Sequence, residues 1–592
     1  MSSSPSSVDE NTKDIIKIIV LKNAIQYGGK ARNEIVISKT IAQRPDLRNN
    51  LKILIPEIKV SVEKINSLTL NEQKVLFAHM VPQQPTPDIK KRDHATSLPA
   101  LQNAEMGNVM TRFPPEPNGY PHLGHAKAAI IDEEYARMYN GKLILRFDDT
   151  NPLNEKAEYY DAIKEGLEWL GIEPDIVKNT SDDIQLLCDY GKKLVEIGGA
   201  YVCTCSQPVM RDLRSKGIPC DCRLDTSQAR DLLRKFFDDS FEPNAAVVRF
   251  KGNMADQNTA MRDPTLFRII DGHHPKLGNS NRVWPTYDFA APLEDSLDGV
   301  THALRTKEYE LRNPLYFAIL ERLSLRKPLM LEFSRLEFEG MPVSKRKIKP
   351  LIENGLVKGW NDPRLPTLES IKRRGFLPQA IRKFVLSLGL TLAETKPPFE
   401  ALEAFNRKIV DPQSIRLFFV KDPVQLQVRN GDFTRQVTLN NHPNINLGHR
   451  NTLVSNCFYI AGDDAASLRV GDEIRLMELY NVRIGDIKSQ QNQHGSASSD
   501  TSKLIIAEQT GDYLEHDMPK IQWVAVEDAI PYRIVIPKAL YIEENYNTNS
   551  LETCEGFAES YVSTLKQGTI IQFVRFGFCR IDGDNSAIFA HR

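Results

Sequence analysis

Apolar residues near the start of the chain return at helical spacing: Ile15, Ile18, Ile19, Leu21, Ala24 and Ile25 form one face, and residues 53–76 supply another. Residues 1–80 are therefore expected to be an all-helical appended domain. The period disappears over 81–108, where VPQQPTP, a charged patch and TSLPALQNAEMGN read as a linker. Val109 to Phe113 then reads as a buried strand leading into PPEPNGYPHLGH, Ala126 to Asn140 as a helix, and Lys142 to Phe147 as the next strand. That order belongs to a nucleotide-binding α/β sheet. Tyr160, Ile163, Leu167 and Leu170 continue the alternation on a helical face that Gly171 ends. The pattern breaks over 203–261 and resumes over 262–350 with Leu266 to Asp271, Tyr287 to Ala290 and a helix holding Asn313 to Leu323. Residues 351–410 place Ala380, Phe384, Val385 and Leu388 at helical spacing. From 411 to 592 short alternating runs such as VQLQV, QVTL, EIRLMEL and TIIQFVRFGFCRI are cut by Gly, Asn and Asp, which predicts β-barrels. Gln490 to Ser502 is too polar to pack and is expected to be a surface loop.

At 592 residues the chain has room for roughly three to five domains. Its 76 Lys plus Arg against 77 Asp plus Glu exclude a uniformly basic protein, yet positive charge gathered in one groove would still suit RNA. The apolar stretch Ile15 to Leu21 contains Lys17 and is far too short to span a membrane. With no signal-peptide or stop-transfer pattern, and with half of its eight cysteines clustered, the chain is expected to be cytoplasmic and to have no membrane partner.

Two strings carry chemistry. RFPPEPNGYPHLGH, residues 112–125, sets His122 and His125 at the start of a helix, where imidazoles and backbone amides can meet a triphosphate. VSKRK, residues 343–347, offers a lysine on a loop to the same phosphates. Adenylate formation drives charge onto departing pyrophosphate, and groups already in place must meet it. Standing alone, a pair of histidines is more often a surface or core feature, and a basic run is more often a solvated face. Cys203-x-Cys205 and Cys220-x-Cys222 could place four thiolates around a structural zinc; the alternative is four unligated cysteines in a solvated loop.

With LRFDDTNP at 145–152, PTYDFAAPLEDSLDGVTHALRTKEY at 285–309 and LEFSRLEFEGMPVSKRK at 331–347, the chain from about 109 to 592 resembles the class I glutamyl- and glutaminyl-tRNA synthetases. The amino-terminal helices look like the extension of archaeal members. The resemblance implies a multidomain α/β protein. A Rossmann-like catalytic core at 109–202 and 262–350 would be interrupted by an acceptor-end domain at 203–261. A stem-contact helical region at 351–410 and anticodon-binding barrels at 411–592 would follow. It also implies glutamate ligation to tRNA(Glu) through an adenylate, with Mg2+ on ATP, and leaves open a protein partner at the amino-terminal helices.

Carried over residue by residue, the resemblance lines the ATP site with Glu116, Pro117, Asn118, His122, Leu123, Gly124, His125, Ala126 and Lys127. Thr306, Arg335 and Leu336 would flank the adenosine, and Val343, Ser344 and Lys345 would form the phosphate loop, with His122, His125 and Lys345 as the catalytic groups. Asp148 would face the substrate ammonium and Tyr287 its side chain. Val343 stands where methionine is common and Leu123 where isoleucine is common; both remain apolar and of similar size. Arg305 and Met330 stand where the glutaminyl branch typically has cysteine and glutamine. A buried guanidinium suits a γ-carboxylate and would lack its counter-charge against an amide, so glutamate is expected, with Arg112 assisting. A glutaminyl enzyme, or one that charges tRNA(Gln) as well, is the alternative. A tRNA-independent nucleotidyltransferase has no use for the β-rich region, and a non-catalytic RNA-binding relative would lose the phosphate strings.

Overall fold

The computed structural model describes residues 10–26, 29–43, 51–80, 98–224, 228–238, 240–343, 345–394, 396–430, 435–490, 502–513 and 518–592. Ser344, residues 81–97 of the expected linker, residues 491–501 of the expected loop, and the side chains of Ile25 and Lys345 lie outside the described set. The chain divides into two compact units, Met1–Ala95 and Thr96–Arg592.

The first unit is built from α1 (Glu10–Gln26), α2 (Asn33–Gln43), α3 (Leu51–Asn66) and α4 (Leu70–Met80). Ile16, Val20, Leu21 and Ala24 of α1 form its core with Val36, Ile58 and Val62. Ile15 and Ile18 are only half-buried, so the inward stripe is offset from the one read in the sequence; IIKIIV is apolar on nearly every side and fixes no phase. Side-chain amides close the turns: half-buried Asn66 Oδ1 accepts from Ala31 N at 2.7 Å, and buried Gln73 Nε2 donates to Ile65 O at 2.8 Å.

In the second unit, β1 (Met110–Phe113), β2 (Lys142–Phe147) and β3 (Ile176–Asn179) lie side by side and parallel, with α5 (Leu123–Met138) crossing from β1 to β2. Packing begins at Leu98, earlier than the expected boundary at 109. Leu98 and Leu101 are buried in this core, and Leu101 N donates to Tyr139 Oη at 2.8 Å. An antiparallel sheet follows from β4 (Ala200–Cys203), β5 (Val247–Phe250), β6 (Thr265–Ile269) and β7 (Val283–Pro285). The interruption thus runs from about 200 to 285, wider than the expected 203–261. The apolar run Leu266 to Asp271 matches either kind of sheet, and pattern alone cannot choose.

The core then returns through the helix Tyr287–Leu297 to β8 (His302–Thr306) and β9 (Leu329–Phe333), a parallel pair. Thr301 N donates to Met110 O and Met110 N to Thr301 Oγ1, each at 2.9 Å, which sets β8 beside β1. A cleft opens where β1 and β8 end, as expected at a reversal of strand order.

Helices Leu368–Arg373, Pro378–Leu388 and Phe399–Val410 lead to two seven-stranded sheets. In one, the edge strands Ile415–Leu417 and Phe419–Lys421 are separated by Phe418 alone; in the other, Lys520–Ile521 and Trp523–Ala525 are separated by Gln522 alone. Each sheet therefore curls toward closure. The second, spanning 424–525, is nested in sequence inside the first, where Ile415 pairs with Ile571.

Candidate active site

The cleft holds about 1170 Å³. Its floor is the start of α5. His122 is the N-cap, with extended backbone, and its Nδ1 accepts from Gly124 N at 3.0 Å while His125 Nδ1 accepts from His122 N at 3.3 Å. With each Nδ1 committed as an acceptor, each neutral ring carries its proton on Nε2. Burial holds His125 down to about 4, and burial with the adjoining His125 and Arg335 holds His122 well below the usual imidazole range. The rings stack at 4.0 Å. Gly124 permits this arrangement, since a Cβ there would sit 2.8 Å from His122 Cε1.

The backbone amides expected to meet phosphate are largely engaged. Leu123 N donates to Pro366 O at 3.0 Å, Gly124 N to the His122 ring and Ala126 N to His122 O at 3.0 Å. The donors left over the floor are the imidazole N–H groups.

Of the remaining sequence candidates for ATP, Glu116, Asn118, Gly124, Lys127, Thr306, Arg335, Leu336 and Val343 line the cleft. Pro117, Leu123 and Ala126 do not; Leu123 and Ala126 belong to the core behind it, because successive helical residues cannot share one face. Lys127 Nζ donates to Ser334 O at 2.5 Å, and burial draws the ammonium down to about 8. Arg335 pairs with Glu308 at 2.5 Å. The segment entering the phosphate loop is anchored at Gly340, whose carbonyl accepts from Tyr541 N at 3.1 Å; its φ of +70° and a would-be Cβ 2.5 Å from Tyr541 O both favour glycine. Lys345 begins the helix Lys345–Glu353.

The opposite end of the cleft is charged and largely buried. Arg305 is 5 % exposed, its Nη1 donates to Asn313 Oδ1 at 3.2 Å, and its buried Nε has no hydrogen-bond partner among the described residues. Asp148 Oδ1 accepts from Arg146 Nε at 2.8 Å and from Thr180 Oγ1 at 3.2 Å, whereas its buried Oδ2 is likewise unpartnered. Tyr287 lines the same end, its hydroxyl pushed up to about 12 by burial. Arg112 lies between them but is partly engaged: Nε donates to Asp295 Oδ1 at 3.0 Å and Nη1 to Leu304 O at 2.7 Å. Thus Arg112, Asp148, Tyr287 and Arg305 meet in one cavity with His122 and His125.

Sequence reasoning missed Asp295. Burial alone would raise its pKa, but the guanidinium groups of Arg112 and Arg146 hold it down to about 2, and Arg146 Nη1 donates to it at 2.8 Å. The available signal was a carboxylate set in the apolar run YDFAAPLEDSL, since an acid in a buried stripe demands a cation. Asp132 was missed as well; it is 1 % exposed, lines the cleft, and its Oδ1 is unpartnered.

At the end of β4, the sulfurs of Cys203, Cys205, Cys220 and Cys222 lie within 4.8 Å of one another, with Cys203 and Cys220 3.9 Å apart and Cys205 and Cys222 3.6 Å apart. A tetrahedral zinc with bonds of about 2.3 Å would set such sulfurs about 3.8 Å apart, so the donor set fits. A hydrogen bond from Cys203 draws Cys220 down to about 5, giving it thiolate character.

Residues 108–412 match the model of tRNA synthetases class I (E and Q), catalytic domain, and residues 414–500 and 520–582 match two models of the anti-codon binding domain of tRNA synthetases class I (E and Q). A glutamate–tRNA ligase of Cenarchaeum symbiosum (strain A) is 48 % identical over 97 % of this chain and 98 % of its own. One from Nitrosopumilus maritimus (strain SCM1) is 46 % identical over 99 % and 100 %. A solved glutamate tRNA ligase of Elizabethkingia meningosepticum is 21 % identical, with a TM-score of 0.37 over 52 % of this chain and 70 % of that one.

Proposed function

From the premise that this chain belongs to the class I glutamyl- and glutaminyl-tRNA synthetases, we infer that it is a glutamate–tRNA ligase, joining L-glutamate to the 3′ end of tRNA(Glu) at the expense of ATP. The observation that carries the amino-acid assignment is the buried Arg305, with an unpartnered Nε, in the cavity that also holds the two histidines. A γ-carboxylate completes a guanidinium that is otherwise costly to keep dry, and a neutral amide does not.

In the reading this supports, Asp148 receives the α-ammonium, Tyr287 packs along the side chain and Arg305 receives the γ-carboxylate. The substrate α-carboxylate attacks the α-phosphorus of ATP, forming glutamyl adenylate as the bond to diphosphate breaks. A hydroxyl of the terminal ribose of tRNA then takes the glutamyl group and AMP leaves. Uncharged His122 and His125 meet the phosphates through Nε2–H, and Lys345, with Val343 and Ser344, is assigned to the same phosphates. Catalysis comes from positioning and charge stabilisation, with no covalent enzyme intermediate. Magnesium bound with ATP supplies neutralisation of the phosphates. Cys203, Cys205, Cys220 and Cys222 would hold one structural zinc, whose sulfur geometry they match. The reaction takes place in the cytoplasm. A protein partner is proposed at the amino-terminal helices.

The deciding assay is charging of separately purified glutamate and glutamine tRNAs with each amino acid. Glutamate on tRNA(Glu) is expected. Glutamate on both tRNAs would establish the broader enzyme, and preferential use of glutamine would overturn the assignment.

A further inference from the structure

Arg305 on β8 and Glu332 on β9 are paired directly across two parallel strands, yet no ion pair within 4.0 Å joins them. Opposite charges at paired positions ordinarily attract at short range. Here the side chain of Asn313 stands between them: Arg305 Nη1 donates to Asn313 Oδ1 at 3.2 Å, and Asn313 Nδ2 donates to Glu332 Oε1 at 2.5 Å. The orientation of that amide is not a free choice. A guanidinium only donates and a carboxylate only accepts, so the carbonyl must face Arg305 and the NH2 must face Glu332. Aromatic rings enclose the rest of the cation, with the Tyr309 centroid 4.9 Å from the guanidinium carbon and those of Tyr287 and Tyr316 at 5.5 Å.

We propose that Asn313 is a specificity-determining spacer that keeps Glu332 from neutralising Arg305, so that the guanidinium stays available to the acidic side chain of the substrate. This rests on the reading in which Arg305 receives the γ-carboxylate. Glu332 restrains the amide and the amide restrains the guanidinium, which lines the cleft without an ion-pair partner of its own among the described residues. Without the spacer, Glu332 takes the place of the substrate carboxylate. The pocket then becomes nearly neutral and favours an amide over an acid. Asn313 is a positioning residue, since it acts through Arg305.

The test is a mutant cycle on the full chain in the charging assay, with KM and kcat measured for glutamate, glutamine and ATP. Asn313→Ala should raise the KM for glutamate about tenfold or more and shift the ratio of kcat/KM toward glutamine, with the KM for ATP within about twofold. Adding Glu332→Gln to that variant should restore most of the glutamate preference, because the competing charge is gone; a merely structural loss would not be rescued. Glu332→Gln alone should change the KM for glutamate by no more than about twofold. Absence of rescue in the double variant, or an Asn313→Ala enzyme with unchanged preference, overturns the spacer. If Asn313→Ala fails to fold, the single Glu332→Gln variant decides, and a loss of glutamate preference there overturns the proposal. Arg305→Ala separates this failure from that of the underlying reading: if it leaves glutamate use intact, the assignment of Arg305 itself is wrong.

Discussion

The two ends of the cleft solve opposite problems. At the phosphate end, His122 and His125 satisfy their own turn through Nδ1 and are held neutral by burial. At the amino-acid end, Arg305 Nε and Asp148 Oδ2 are buried without a partner among the described residues, while burial pushes the Asp132 carboxyl well up toward its neutral form. The phosphate end is stable when empty and uses leftover donors. The amino-acid end keeps desolvated charges whose cost is offset only when the right ligand arrives, which makes it the more selective of the two.

Removing Asp295 tests the support beneath the charged end most severely. Asp295→Ala leaves Arg112 and Arg146 buried beside a missing counter-charge and should lower stability by about 3–5 kcal/mol, read from urea unfolding. Arg305→Ala should lower kcat/KM for glutamate about 100-fold, with the KM for ATP little changed in steady-state charging kinetics; comparable losses for both substrates would erase the distinction between the ends. Asp148→Asn keeps the shape but not the charge, and should raise the KM for glutamate about tenfold in the same assay.

At the other end, pH is the lever. The folded pKa of His125, about 4, lies below the usual value near 6.5, so the unfolded chain binds the extra proton first. Its contribution to stability is therefore present above pH 6.5 and is lost as the pH falls toward 4. His125→Asn should flatten that part of a thermal unfolding profile; an unchanged slope would mean the ring is not held neutral. The smallest effect is expected outside the cleft, where stripping metal with a chelator should release one zinc per chain, measured by elemental analysis, while the KM for glutamate stays within about twofold.

Much of this was legible because HLGH, LRFDD and LEFSRL are short strings that hold candidate residues, and the cleft brings together most of those singled out. Direction was harder to read. Leu123 inside the histidine string and Ala126 just after it face the core, because a helix sends neighbours to different sides. The engagement of the α5 amides was also invisible, since Pro366 arrives from a distant segment. Asn313 and Glu332 were missed for the same reason: their meaning lies in partners on other elements, and one sequence carries no record of who meets whom. Strand membership failed where β6 is apolar enough for either sheet.

The nesting of one curled sheet within another bears on how the chain acquires its shape during synthesis. The strand at Ile415 emerges long before Ile571, its neighbour, and the whole of 424–525 must come between. Until then the older strand has an open edge, a site for mispairing that only a late arrival can close. Slow translation or a temperature jump late in production should therefore trap species with the inner sheet formed and the outer one gaping.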